Sequence, residues 1–365
     1  MNKRRRIGWV ICALLILVTV TWFKFISTVL ITDEHGYQYT IQPGASIKSV
    51  TADLYYKNII KNRLMFNILV ALRKGGHDIK AGEYLFPKGT TPYKLLTQII
   101  TGSGLVYHQF TIIPGWNMRQ LRAALEKESH FNHTVQSLSD AALMDRLGHP
   151  ELKPEGQFYP DTYFFAGGTS DLILLKRAFK AMQVKAAVIW QGREAGLPFS
   201  NVNEILIVAS MIEKETEFDE ERPIIAGVII NRLNKHMQLQ IDPTVIYGLG
   251  TRFNGTIYRK DLIAYTPYNT YVIKGLPPTP IAMPGLESIM AVAHPQHHDY
   301  LYFVAKHGKD GPHQFSQNLN AHYAAVAVAK RLKSEYFNHA LVRYYLLKMF
   351  SDQVMRFPLI HGQED

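Results

Sequence analysis

Cysteine is almost missing from this chain: the one present, Cys12, sits in an apolar N-terminal run. The rest of the chain can form no internal disulfide and must stand on its hydrophobic core. An exported protein built without disulfides fits a bacterium better than a secretory pathway rich in oxidised cysteine. The position of Cys12 also excludes a cysteine nucleophile. A G-x-S-x-G elbow, a P-loop and an H-E-x-x-H helix are missing too, which removes common signatures of serine hydrolases, nucleotide-dependent phosphoryl transfer and zinc peptidases. Acidic residues are in short supply: 30 Asp and Glu face 40 Lys and Arg, a formal net charge of +10. That balance suits an acidic partner, whether nucleic acid, anionic lipid or an anionic wall polymer, without choosing between them. No nucleic-acid-binding motif organises the basic residues. With 47% apolar and 19% charged residues, wholesale disorder is excluded, and 365 residues suffice for an anchor plus two or more compact domains.

The first segment narrows the choice. Lys3-Arg4-Arg5-Arg6 runs into an apolar stretch from Ile7 to Phe23 that resumes after Lys24 as far as Ile31. Its length predicts a transmembrane helix over 7–31, with residues 1–6 as a basic cytoplasmic tail and everything after about Thr32 outside the cytoplasm. Lys24, near the far end, can snorkel to the interface. A cleaved signal peptide has a similar beginning, but no small-x-small cleavage site stands out.

Beyond the anchor the chain repeats itself. Tyr39-Thr40-Ile41-Gln42-Pro43-Gly44 recurs as Phe110-Thr111-Ile112-Ile113-Pro114-Gly115, and Ile47, Val50 and Leu54 align with Met118, Leu121 and Leu125. Each copy reads as strand, Pro-Gly turn and amphipathic helix. Between them, 81–87 reads as a short strand and 92–100 as a helix. The stretch 37–105 is thus a small α+β module, and its order of elements resembles a LysM-type glycan-binding domain with an insertion.

From Asn201 a strongly helical signal begins, with Asn201 and Glu204 placed as a capping box and Ile205 to Ile212 apolar on every side, so this helix is predicted to be buried. A second helix starts at Pro223, with Gly227 allowing close approach. Next, 237–241 alternates like a strand ending at Asp242-Pro243. The Pro-, Gly- and Tyr-rich stretch 265–285 reads as an ordered loop that lines a cleft, 300–304 as a core strand and 320–332 as a helix.

Glu213 ends the buried helix on the face of Leu206 and Ala209, which predicts a carboxyl among apolar neighbours at a helix C-terminus, both of which hold a proton on it. A carboxylic acid that stays protonated near neutral pH is what glycosidic-bond cleavage requires. A structural role stays open beside this one, with Glu213 paired to a base such as Arg222 or Arg232. Glu217 lies one turn on, on nearly the same face, and Glu215 points elsewhere. Glycosidases that use two carboxyls hold them on either side of the bond, about 5 Å or about 6.5–9.5 Å apart. Adjacent turns of one helix do not, so a single carboxyl acting first as acid and then as base is the simpler fit. His294, His297, His298, His307 and His313, with Asp299, show no metal-ligand spacing and read as neutral side chains on turns.

Several ordered blocks carry a family resemblance: 209–216 (ASMIEKET), 231–233 (NRL), 239–248 (LQIDPTVIYG), Glu155-Gly156 with 158–163, 268–271 with 275–278, and 281–285. Together they resemble the YceG-like family of murein transglycosylases, from about Tyr39 to Leu332. The resemblance implies an α+β fold with an N-terminal transmembrane helix, a small LysM-like subdomain over 37–105 and a mixed α+β catalytic domain over 106–335. It implies a lyase that cuts within nascent peptidoglycan strands between N-acetylmuramic acid and N-acetylglucosamine, with no metal or organic cofactor. By this resemblance Glu213, the first acid of the E-K-E-T block, is the catalytic residue: it protonates the linking oxygen, and its carboxylate then takes the C6 hydroxyl proton as that oxygen closes on C1 to leave a 1,6-anhydro end. Gln240, Asp242, Thr244, Tyr247, Tyr268 and Asn269 are expected to bind the sugars, and Glu217 to tune the charge near Glu213. Membrane-bound peptidoglycan synthases are the expected protein partners. A hydrolytic muramidase and a non-catalytic wall-binding scaffold remain as alternatives. The family normally ends soon after Leu332, so 336–365 is an extension to which no function attaches.

Overall fold

The computed structural model describes residues 3–73, 79–306 and 311–332. His307 and the extension over 336–365 lie outside them. The chain divides into two compact units. One comprises Met1–Ile112, Leu121–Leu147 and Asp161–Arg177; the other comprises Ile113–Gln120, Gly148–Pro160 and Ala178–Asp365.

In the first unit, helix α1 (Lys3–Ser27) contains a 23-residue span, Arg5–Ser27, apolar enough to cross a membrane and exposed except where Trp22, Phe25 and Ile26 are partly buried. The helix stops before the predicted 31. The Leu30 amide donates to the Thr90 carbonyl (2.8 Å), and Ile31 is 4% exposed, so the end of the apolar run joins the core of the unit. That core is built by β1 (Tyr37–Ile41), α2 (Ile47–Tyr56), α3 (Arg63–Leu72), β2 (Gly82–Phe86) and α4 (Pro92–Thr101). Strands β1 and β2 pair antiparallel, Tyr39 opposite Tyr84. The second copy of the repeat supplies β3 (Tyr107–Thr111) and α5 (Met118–Lys127), followed by α6 (Asp140–Leu147) and β4 (Thr162–Ala166), with β3 and β4 again antiparallel. Both copies are therefore strand, helix, helix, strand.

The local chemistry of the copies matches position by position. Gly44 and Gly115 both adopt φ near +80°, which glycine tolerates best. Ser46 Oγ accepts the Ser49 amide (3.1 Å) as Asn117 Oδ1 accepts the Gln120 amide (3.0 Å), capping each helix. The aligned Ile47, Val50 and Leu54 and Met118, Leu121 and Leu125 are all buried.

In the second unit, after α7 (Asp171–Gly192), the buried helix α8 (Val202–Glu215) packs against α9 (Arg222–Asn234), α10 (Asp242–Leu249) and α12 (Leu286–Ala293), with the short α11 (Arg259–Ile263) beside α10. Ile205 to Ile212 of α8 are buried without a break. Asn201 Oδ1 accepts the Glu204 amide (3.2 Å), but Glu204 returns the bond to the Ser200 amide (2.7 Å), one residue before the position a capping box uses. Strands β5 (Tyr302–Ala305) and β6 (His313–Ser316) pair antiparallel, half-buried rather than central, and helix α13 covers 319–332.

Residues 237–241 form no strand. The Arg232 guanidinium takes the carbonyls of Gln238 (3.0 Å) and Leu239 (2.7 Å), and Gln240 turns to φ 54°, so a sidechain occupies the acceptors that a neighbouring strand would need.

Candidate active site

Helix α8 ends on two acids two positions apart. At about 100° per residue they leave the helix on different sides. Oε2 of Glu213 accepts the Ser288 hydroxyl (2.7 Å), the Gly285 amide (2.8 Å) and Arg222 Nη1 (3.1 Å). Gly285 and Ser288 belong to the N-terminus of α12 and Arg222 starts α9, so one oxygen ties three packed helices. The Arg222 guanidinium also bonds the Ser288 hydroxyl and pairs with Asp219 (3.1 Å). The Glu213 and Arg222 side chains are 8% and 11% exposed. A side chain on Gly285 would come within 3.3 Å of Oε2, which explains a glycine there. Glu213 thus sits in an ion pair with three donors on Oε2, not in the apolar surroundings expected from the helical wheel.

Glu215 faces a cavity of about 630 Å³ lined by Lys214, Arg232, Gln240, Asp242, Tyr271, Tyr302, His313 and His322, among others. The residue is half-buried, but Oε2 has no accessible surface and no hydrogen-bond partner. Burial, with the nearby Asp242 adding to it, pushes the Glu215 carboxyl up to about 8, so it keeps its proton at neutral pH. Asp242 opens α10 and accepts the Tyr271 hydroxyl (2.6 Å). Burial and then Asp242 raise the Tyr271 phenol above its ordinary value, so it remains a donor. Gln240, also on the cavity wall, stands in the left-handed region that non-glycine residues seldom occupy. Its amide bonds the Thr270 carbonyl (3.1 Å) and its Oε1 accepts Arg232 Nη1 (3.2 Å). Arg232, 6% exposed, also donates from Nε to the Leu301 carbonyl (2.6 Å) and lies over the Tyr302 ring.

Of the expected sugar-binding residues, the structure brings Gln240 and Asp242 to this cavity with Glu215. The others brace the scaffold. Thr244 is fully buried and bonds the Ile241 carbonyl (2.6 Å) and Thr270 (2.9 Å). Tyr247 donates to Glu155 (2.9 Å) and packs on Tyr268, whose hydroxyl meets Thr279 (2.9 Å). The Asn269 amide nitrogen reaches the carbonyls of Asp261, Leu262 and Ala264 (2.7–3.1 Å), holding the loop that precedes it. Glu217 is exposed and does not line the cavity. Arg232 and Tyr271 were within recognised blocks without being singled out as site residues. Among the histidines, His297 bonds Glu194 (2.8 Å), His298 bonds the Ile224 carbonyl (2.9 Å) and His313 bonds Glu221 (2.7 Å). Among the described residues no three His, Cys, Asp or Glu side chains converge to hold a metal ion.

Comparison with known proteins gives consistent results. The YceG-like family model matches residues 39–328. An endolytic murein transglycosylase of Bacillus subtilis is 32% identical over 306 residues, covering 78% of this chain and 82% of its own. One from Streptococcus pneumoniae is 27% identical over 320 residues, covering 79% of this chain but 57% of its own longer one. The crystal structure of a YceG-like protein from Listeria monocytogenes superposes with a TM-score of 0.51 at 28% identity, covering 80% of this chain and 99% of that one.

Proposed function

The chain belongs to the YceG-like family, and from that membership we propose that it is an endolytic murein transglycosylase whose general acid is Glu215. The observation that carries the assignment of the acid is the enclosed, unpartnered Glu215 carboxyl, held protonated at neutral pH in a cavity large enough for sugars. Glu213, the residue expected from the first position of the E-K-E-T block, has its Oε2 saturated by Arg222, Ser288 and Gly285 and serves to lock α8, α9 and α12 together.

In this mechanism Glu215 gives its proton to the oxygen between N-acetylmuramic acid and N-acetylglucosamine as the C1–O4 bond breaks. The Asp242 carboxylate, fixed by the Tyr271 hydroxyl, faces the positive charge that develops at C1. The muramyl C6 oxygen then closes on C1, and its proton returns to the Glu215 carboxylate. The new end is a 1,6-anhydro sugar and water is not consumed. Gln240, its Oε1 pinned by Arg232, presents its side-chain NH2 to the sugar.

The remaining parts fit the same reading. Helix α1 is a single-pass anchor with its basic start in the cytoplasm, so the rest of the chain faces the wall. The module over 37–105 is a LysM-like glycan holder, 106–335 the catalytic domain, and membrane-bound peptidoglycan synthases the partners. The proximity of Asp242 to Glu215 also favours a second reading, hydrolysis with Asp242 activating water. Digesting purified peptidoglycan and reading the new ends by mass spectrometry separates the two: anhydromuramyl ends support the lyase, reducing ends the hydrolase.

A further inference from the structure

The mechanism leaves one buried ionisable pair on the cavity wall without a task. His313, first residue of β6, lines the cavity that holds Glu215. Its Nδ1 lies 2.7 Å from Glu221 Oε2, and its backbone amide donates to Glu221 Oε1 (2.6 Å). Glu221 ends the single 3₁₀ turn Asp219–Glu221 and accepts a third bond, from the Thr216 hydroxyl (3.0 Å). Thr216 directly follows Glu215, so the pair is tied to the chain segment that carries the acid.

The pair is almost completely buried, its side chains 6% and 7% exposed. Burial alone would raise the Glu221 carboxyl, but the ring and backbone of His313, with Thr216, hold it below its ordinary value, so it is an acceptor only. Nδ1 must then carry the proton, and Nε2 is the ring atom left for the cavity. Nε2 makes no hydrogen bond among the described residues. Buried ion pairs contribute little net stability compared with apolar residues of the same volume, so folding alone does not account for this one. A carboxylate behind an imidazole is the usual device for fixing which nitrogen faces a ligand.

We propose that His313 is a further substrate-contacting residue, its Nε2 hydrogen-bonding to a hydroxyl of the amino sugar bound in the cavity, and that Glu221 is its positioning residue. This rests on the reading of the cavity as the glycan-cleaving site. Glu221 from the 3₁₀ turn contacts His313 directly, and the charged and titratable groups that line the same cavity are Lys214 and Glu215 from α8, Arg232 from α9, Asp242 from α10, Tyr271 from the loop, Tyr302 from β5, and His322 and Tyr323 from α13.

The test uses the full chain in detergent with solubilised glycan strands, comparing it with His313→Asn, Glu221→Gln and the double variant. Asn keeps a donor for Glu221 and removes Nε2. The expected result is a KM raised roughly 10-fold in His313→Asn, from the loss of one hydrogen bond, with kcat within about 2-fold. Glu221→Gln should have a smaller effect that adds nothing in the double variant. A lower melting temperature with KM unmoved would overturn the proposal, leaving His313 a packing residue. Failure of the unmodified chain to cut strands would overturn the underlying function, and this role with it.

Discussion

Glu213 and Glu215 share one helix end, yet one meets an arginine and two further donors while the other faces a cavity with an unpartnered oxygen. Removing the charge of Glu213 leaves the buried Arg222 with only the exposed Asp219 as a charge partner, so Glu213→Gln should cost roughly 3 kcal/mol of stability, read as a lower melting temperature, while some cleavage survives. Glu215→Gln should lower cleavage roughly 10²–10⁴-fold. Its effect on stability should also have the opposite sign. A carboxyl whose folded pKa is raised gains a proton on folding, so its contribution is intact below about 4.5 and is lost as pH rises towards about 8. Glu215→Gln should therefore melt higher than the unmodified chain near pH 7.5 and lose part of the decline in stability between pH 5 and 8. Activity of the unmodified chain should fall above about pH 8, where Glu215 ionises. The sequence shows the acids but not which of them faces the cavity. Helix α8 is buried all round, so its wheel has no solvent face to orient it, and the contacts that decide, Arg222 and Ser288 for one acid and Asp242 for the other, come from other elements.

At the scale of elements, features set by nearby residues were legible. The repeated Pro-Gly turn and its helical triad are local, and both copies formed as read. Strand 237–241 failed because its alternation is local but the Arg232 side chain that takes its carbonyls comes from the preceding helix. Gly227 was read as a close-approach position, and a β-carbon there would lie 2.4 Å from the Gln296 carbonyl oxygen, backbone that cannot swing aside. Gly227→Ala should destabilise by about 1–3 kcal/mol in denaturant unfolding. Asn269, expected at the sugar, instead gathers three carbonyls of its own loop. Asn269→Ala should cost about 1–3 kcal/mol by leaving buried acceptors unpaired, which chemical denaturation would measure. Tyr268 and Tyr247 likewise bond Thr279 and Glu155, since a polar ring can brace a loop as well as meet a ligand.

For the molecule as a whole, the anchor is not a detachable leader in physical terms. Trp22, Phe25, Ile26 and Leu30 pack against the core of the first unit and Ile31 lies within it. A chain starting at Asp33 should therefore melt lower than one starting at Val29, by the roughly 2–5 kcal/mol that emptying a buried isoleucine site costs. Both should leave the membrane fraction, in which the full chain should sediment. The strand, turn and helix that open each copy, the apolar anchor and the family blocks were all visible in the order of residues, whereas the grouping of distant segments into two units was not, because it depends on which surfaces meet after the elements form. The central claim is that Glu215, not Glu213, donates the proton in an anhydro-forming cut. It is tested most directly by incubating purified peptidoglycan with the full chain, Glu213→Gln and Glu215→Gln and counting anhydromuramyl ends by mass spectrometry. Ends formed by the full chain, retained in part by Glu213→Gln and lost with Glu215→Gln while that variant stays folded, are the predicted result; loss with Glu213→Gln and survival with Glu215→Gln would contradict it.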